Sequence, residues 1–339
     1  MWAYSEAGNG RNVCTLVVNG TLFFLTVIPS TLCPFYVLVF DGCRKDSITD
    51  GGLDGCGSDC MTGVPVQVVS PRHSFCGVAE HTVSSLFNHD STVYLCDSCL
   101  CTSGHAGHLQ KHLQRCSNAF WIPGDEIYRD EERQFCVFVL DGRKAQCAAM
   151  ARRICYLSKL FLIDKVTLDD VHFFSFNALF EVDDEGFHFV GYFSKEWTSS
   201  SSCMNTLSCV MVLPPFRSKG YGSLLVRLSY AIARVEGIVG TPERPLSKSG
   251  NALFRKVWRE EVLFAVFALE ERGTPITVGE LSKVSSLIVE DVLVALQDLD
   301  VLFSVGRQGP LLVVNTSEKR KLLQRRLPAE MLYWTSAPS

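Results

Sequence analysis

Apolar and polar positions change their period several times along the chain, and each change marks an element. Phe135–Leu140 is a short apolar run closed by Asp141-Gly142, a turn signal, and it predicts a strand. From Cys147 to Phe161 the apolar residues Met150, Ile154, Leu157 and Phe161 recur at helical spacing, which predicts a helix with one buried face. Phe173–Val182, Gly186–Phe193 and Thr206–Leu213 read as successive strands, the first two joined by a hairpin turn at 183–186. Gly220–Val235 is amphipathic, with Leu224, Leu225, Leu228 and Ile232 on one side and Gly237 as its terminator. The middle of the chain is therefore α+β, with strands followed by a helix that leaves a glycine-containing turn.

Beyond Trp258 the pattern is mostly helical. Thr277 with Glu280 is a capping-box start. A second helix runs from about Val289 to Leu299 with Val292, Leu296 and Leu299 inward. Val301–Ser304 and Leu311–Val314, on either side of Gly306-Arg-Gln-Gly309, read as a small β-wing. The first ninety residues are the least legible. Leu16–Phe40, rich in Val, Phe, Leu and Thr, predicts strands, and the Gly- and Asp-rich stretch 41–63 predicts loop or turn.

Composition narrows the class. The chain has 339 residues, 32 Lys+Arg against 36 Asp+Glu and a formal net charge of −4. At 47% hydrophobic and 20% charged it is not globally disordered. The near-neutral balance argues against coating nucleic acid by electrostatics alone. No stretch gives the run of about eighteen apolar residues that a spanning helix needs, so no membrane partner is expected. The nearest candidate, Leu16–Phe40, is broken by Asn19, Gly20, Pro29 and Pro34, and without a basic start it argues against a signal peptide. Fifteen cysteines are many, yet Cys136, Cys147, Cys155 and Cys209 sit singly in apolar runs, as small buried hydrophobes do. A reduced compartment with one metal site explains this better than a disulfide frame.

That site is Cys96-Asp-Ser-Cys99 followed by His112 and Cys116. Two thiolates from a tight knuckle, then His and Cys about one helical turn apart, close a tetrahedron around Zn²⁺. Cys101, His105 and His108 are rivals that fit the knuckle and the helical turn less well, and Cys56 with Cys60 lacks a second pair. Four protein ligands leave no open position, so the zinc is expected to be structural.

Leu213-Pro-Pro-Phe-Arg217-Ser-Lys-Gly220-Tyr-Gly222-Ser223 places a strand end, an Arg-x-x-Gly-x-Gly turn and a helix start in order. Glycines let the backbone approach a phosphate, and unpaired amides at the helix N-terminus face the anion. Alone this motif is often only a helix-start turn. After a strand with a double proline it matches the pyrophosphate cradle of acetyl-CoA-dependent N-acyltransferases.

Here the chain resembles the MYST-type lysine acetyltransferases. The resemblance is carried by the finger, Pro123-Gly-Asp-Glu-Ile-Tyr-Arg129, Leu157-Ser-Lys-Leu-Phe-Leu162, Val190-Gly-Tyr-Phe-Ser-Lys-Glu196 and Leu207-Ser-Cys-Val-Met-Val-Leu-Pro-Pro215. It continues through Lys219-Gly-Tyr-Gly222, Glu236-Gly-Ile-Val-Gly-Thr-Pro-Glu-Arg-Pro-Leu-Ser247 and Tyr333-Trp334. It implies an acetyl-CoA N-acyltransferase-like core with an N-terminal zinc finger and a C-terminal winged-helix-like region. The domains would be 1–70, β-rich or partly disordered; 71–125, the C2HC zinc-finger region; 126–260, the catalytic core; and 261–339, helix-turn-helix-like.

The resemblance also implies roles. Glu243 falls on the family's general base and Cys209 on its active-site cysteine. Val210, Met211, Val212, Arg217, Ser218, Lys219, Gly220, Tyr221, Gly222, Ser223 and Ser247 fall on acetyl-CoA contacts, and Lys165 on an autoacetylated lysine. Read from its own surroundings, Glu243 stands on a turn between Pro242 and Pro245, where a carboxylate could be held to take a proton from a lysine ammonium. The bland alternative is a solvated loop carboxylate, and for Cys209 a buried small side chain. The implied function is transfer of acetyl from acetyl-CoA to lysines of histone tails on nucleosomes, in the nucleus and within a multi-subunit complex.

The chain departs from the family at Arg217-Ser218, at Lys248-Ser249-Gly250 and at Lys256, which puts cofactor contacts at 218, 248 and 256 in question. A catalytically weak or inactive scaffold combining a zinc finger and a winged helix is the alternative. Direct DNA reading is disfavoured by Glu290, Asp291 and Asp298 on the second helix of the C-terminal region.

Overall fold

The computed structural model describes residues 2–7, 11–18, 21–27, 36–40, 63–80, 92–162, 168–197, 204–299, 311–315 and 332. They belong to two compact units, one of residues 1–53, 237–240 and 246–327, the other of 54–236, 241–245 and 328–339.

The second unit carries the sheet that the periodicity predicts. After β5 (Gly63–Val69), β6 (Ser74–Glu80), β7 (Thr92–Leu95) and β8 (Thr102–Ser103) come α1 (Ala106–Leu113), β9 (Asp125–Asp130) and β10 (Phe135–Asp141). Then follow α2 (Ala145–Ser158), β11 (Phe174–Asp183), β12 (Gly186–Glu196), β13 (Met204–Leu207), β14 (Cys209–Val212) and α3 (Tyr221–Glu236). Five strands form one sheet in the order β14-β12-β11-β10-β9, antiparallel throughout. Every residue of β10 is buried, so this strand lies under cover on both faces, which is why it reads as an unbroken apolar run.

The predicted helix between β10 and β11 ends at Ser158, so Phe161 lies beyond it, half-buried. Met150, Ile154 and Leu157 form its buried face, widened by Cys147, Ala148, Ala151 and Cys155. Phe176, Phe180, Phe189, Phe193 and Tyr192 of the sheet and Tyr230 of α3 are fully buried and fill the core. Gly186 sits at φ 120° in the β11–β12 hairpin, and a Cβ there would lie 1.9 Å from the Ala119 carbonyl oxygen. No other residue fits.

The predicted strand Thr206–Leu213 is two strands. The chain bends at Ser208: β13 pairs with β15 (Gly240–Pro242), whereas β14 pairs with β12. Gly237, at φ 68°, ends α3 as expected.

In the first unit, β1 (Trp2–Ala7), β2 (Arg11–Val18), β3 (Thr21–Val27) and β4 (Tyr36–Phe40) join β16 (Leu311–Asn315) in one sheet, with β16 parallel to β4. The strands read within Leu16–Phe40 are thus present. The second arm of the expected wing is a strand paired with β4, and the first arm, at 301–304, lies outside the described residues. Helices α4 (Lys248–Glu271), α5 (Val278–Ser285) and α6 (Val289–Asp298) also belong to this unit. Thr277 caps α5 by accepting from the Glu280 amide at 3.1 Å, while the Glu280 carboxylate pairs with Lys283 at 2.7 Å. Arg255 and Asp298 join α4 to α6 through a two-pronged ion pair whose Nε–Oδ2 arm is 2.8 Å. Among the described residues no helix is long and apolar enough to cross a membrane.

Candidate functional site

The metal-ligating residues converge. Cys96 and Cys99 leave the end of β7 in a knuckle closed by Leu100 N–H donating to the Cys96 carbonyl (2.8 Å) and Cys96 N–H to the Cys101 carbonyl (2.9 Å). His112 lies in the last turn of α1, and Cys116 follows three residues after that helix. The four donor atoms lie within 4.8 Å of one another. Cys96 Sγ is 3.7 Å from Cys116 Sγ, and Cys99 Sγ is 3.2 Å from His112 Nε2. The edge between two sulfurs of a zinc tetrahedron is about 3.8 Å, given Zn–S bonds of about 2.3 Å, so the sulfur pair is spaced as ligands and not as a disulfide. A hydrogen bond from Cys99 lowers the pKa of the Cys96 thiol against the opposing effect of burial. The donor set therefore fits a thiophilic divalent ion. Cys101 packs beside this cluster without joining it, and His105 and His108 are exposed, edge to face at 5.2 Å.

The knuckle is bonded to the large sheet. Arg153 of α2 donates to the Cys99 carbonyl at 3.0 Å, and Phe189 N–H of β12 donates to the Asp97 carbonyl at 2.8 Å. Buried His188 lies between Asp97 Oδ2 (3.1 Å) and Asp183 Oδ1 (2.8 Å), and Arg72 holds the other oxygen of Asp183 at 3.0 Å. Burial disfavours a charged His188, but the two carboxylates outweigh it and raise its pKa. Sequence reasoning missed Arg153 and His188. Nothing in their local pattern separates them from ordinary surface residues.

The expected catalytic residues lie on neighbouring segments. Glu243 N–H donates to the Leu207 carbonyl at 2.9 Å, two residues before Cys209. Glu243 is exposed and Cys209 half-buried. Fully buried Ser194 of β12 grips both sides of the bend: its carbonyl accepts from Ser208 N–H (2.8 Å) and its hydroxyl from Cys209 N–H (3.1 Å). Nearby on β12, Tyr192 Oη is 2.9 Å from Ser158 Oγ. Ser158 has one proton and a 2.6 Å bond to the Ile154 carbonyl, so Tyr192 is the donor between them. Burial holds that phenol well above its ordinary range.

The glycine-containing turn follows β14. Val210 and Val212 are half-buried and the Met211 side chain is in the core. A 3-10 turn at Pro214–Phe216 leads to Arg217, whose Nε donates to the Val212 carbonyl at 3.1 Å. Ser218 has φ 61° and Gly220 φ 89°. Arg217, Ser218, Lys219 and Gly220 are exposed, Tyr221 and Gly222 half-buried and Ser223 buried. The amides at the start of α3 have no acceptor within the helix, which makes the turn suited to an anion. Tyr221 Oη donates to Glu181 Oε1 at 2.7 Å, and burial, then this bond, pushes the phenol up, so it stays a donor at neutral pH.

Ser247 caps α4, its hydroxyl accepting from Gly250 N–H at 3.1 Å, and Lys248 and Lys256 are exposed on that helix. Lys165 lies outside the described residues.

An antiparallel sheet with a glycine-containing turn opening a helix, and a Cys3His cluster bonded to the sheet, define a mixed α+β protein, consistent with an acetyltransferase core. Comparison with known proteins agrees. The MOZ/SAS family model matches residues 122–332, and the chain belongs to that family. It is 38% identical over 239 residues to "Histone acetyltransferase Tip60 homolog" of Caenorhabditis elegans, covering 70% of this chain and 50% of that protein. It is 39% identical over 216 residues to "Putative MYST-like histone acetyltransferase 1" of Oryza sativa, covering 64% and 46%. It is 34% identical over 254 residues to "Histone acetyltransferase esa-1" of Neurospora crassa, covering 74% and 49%. The chain spans about half the length of the curated relatives it matches.

Proposed function

We propose that the protein transfers acetyl from acetyl-CoA to the ε-amine of lysine in histone tails. The observation that carries this reading is the bond between Glu243 N–H and the Leu207 carbonyl, which ties the expected base to the end of β13, two residues before Cys209. A lysine ammonium must lose its proton before its nitrogen can attack the thioester carbonyl. Glu243 takes that proton, and the amine then displaces CoA thiolate. Cys209 lines the site. Arg217–Ser223 holds the pyrophosphate with backbone amides, Val210, Met211 and Val212 contact the acyl end through their backbone, and Ser247 is a further contact.

Zn²⁺ is held by Cys96, Cys99, His112 and Cys116 and supplies folding free energy only, since four protein ligands fill its coordination. The domains follow the division at residues 70, 125 and 260, with a zinc finger before the core and a winged-helix-like region after it. The protein works in the nucleus on nucleosomes, as a subunit of a multi-subunit complex, and carries acetyl on Lys165. Incubation with acetyl-CoA and core histones, with peptide mass spectra of both histones and enzyme, tests this. Histone lysine acetylation and acetyl-Lys165, both lost in Glu243→Gln, are expected. No acetylation by folded, zinc-loaded protein would overturn the reading.

A further inference from the structure

The turn before α3 holds two residues in left-handed conformation, Ser218 at φ 61° and Gly220 at φ 89°. Glycine adopts it freely, but for serine it is disfavoured, and such a conformation persists only where the surroundings over-determine it. On the upstream side, Arg217 is tied by its Nε to the Val212 carbonyl. On the downstream side, two ties meet at one atom. Oε1 of Glu181, near the end of β11, accepts the Tyr221 hydroxyl at 2.7 Å and lies 3.9 Å from the Lys219 ammonium. The Tyr221 ring meets Phe135 of β10 edge-on at 5.9 Å, and the Lys219 ammonium stands 5.1 Å from the Phe216 ring. The residues flanking Gly220 on both sides therefore lead to a single carboxylate on a sheet strand.

We infer that Glu181 is a positioning residue for the diphosphate of CoA. By holding Tyr221 and Lys219 it fixes the amides of the turn in the orientation that receives an anion, without touching the ligand. A bare carboxylate beside a diphosphate would repel it. Here Lys219 takes the charge and Tyr221 takes a lone pair, so the repulsion is offset and the tie remains. Tyr221 accordingly serves the cradle through its backbone, its hydroxyl being committed to Glu181. This inference rests on the acetyl-CoA reading of the turn.

The test is calorimetric titration of the zinc-loaded full chain with CoA, in wild type, Tyr221→Phe, Glu181→Leu, the double variant and Glu181→Gln. Gln keeps an acceptor oxygen and loses the charge. Tyr221→Phe keeps the ring and guards against a variant that fails to fold. Tyr221→Phe and Glu181→Leu are each expected to raise the Kd about three- to ten-fold, and the double variant no more than Glu181→Leu alone, because the two residues act through one bond. Glu181→Gln should stay within about twofold of wild type, rescued by its remaining oxygen. Additive effects, or lower melting temperatures with an unchanged Kd, would overturn the inference and make Glu181 purely structural. Wild type that does not bind CoA would instead remove the acetyl-CoA reading on which it rests.

Discussion

The amide of Glu243 donates to the carbonyl of Leu207 across 2.9 Å, and the chain bends one residue later, at Ser208, to change its strand partner before Cys209. This one bond ties the loop that carries the carboxylate to the end of β13, two residues before the thiol. Because the tie is made by backbone, substituting either side chain leaves it in place, and the two roles can be separated by mutation.

Glu243→Gln keeps the shape and removes the base, so the acetylation rate at neutral pH should drop on the order of 10²–10⁴-fold. Cys209→Ala removes packing alone if the amine attacks directly, and should cost much less. Steady-state rates of the two folded variants decide this: inactive Cys209→Ala beside active Glu243→Gln would reverse the assignment.

The Cys3His cluster predicts about one zinc per chain by elemental analysis. Cys99→Ser should lose it. Because Arg153 and Phe189 bond directly to the knuckle, the loss should spread into α2 and β12 and be seen as faster amide exchange there. Exchange confined to residues 96–116 would mean the knuckle is independent of the sheet.

No protein atom lies within 4 Å of where a Cβ on Gly220 would sit, so what a side chain would strain within the protein is the left-handed backbone, at φ 89°. Gly220→Ala should cost about 1–2 kcal/mol of stability through its left-handed backbone. Acetyl-CoA binding should weaken on the order of tenfold as the turn's amides move. Thermal melts and calorimetry check the pair, and an unchanged Kd would place the cofactor elsewhere.

The Cys3His cluster was legible because ligand chemistry fixes spacing, and the α3 turn because glycines and a helix start leave a local trace. Long-range partnership leaves none. The apolar run Thr206–Leu213 reads as one strand, since alternation cannot show that pairing passes from β15 to β12 at Ser208. The first eleven residues of α4 went unread because Ser249 and Gly250 are poor helix formers. The Ser247 cap, bonded to Gly250 N–H, starts the helix there. Ser194 meets Ser208 and Cys209, His188 meets Asp97 and Glu181 meets Tyr221, partners that local alternation cannot show.

The Arg255–Asp298 pair predicts a pH effect. The arginine bond, above all, holds the Asp298 carboxyl below its ordinary value of 3.8. A depressed carboxyl contributes stability that is present above its unfolded pKa and lost as pH falls through the folded one. Asp298→Asn should therefore cost about 0.5–1 kcal/mol near pH 7, given the partial exposure of Arg255, and close to nothing at the acid end. Denaturant melts of both proteins at several pH values show this, and a constant difference would assign the effect to packing.

The most direct test of the account is the rate of acetyl transfer from acetyl-CoA to core histones by the purified chain, read site by site by mass spectrometry beside Glu243→Gln. Lysine acetylation by the wild type is expected, reduced on the order of 10²–10⁴-fold in the variant although it still binds acetyl-CoA. Equal rates in the two proteins, or none from a wild type that binds both zinc and acetyl-CoA, would contradict it.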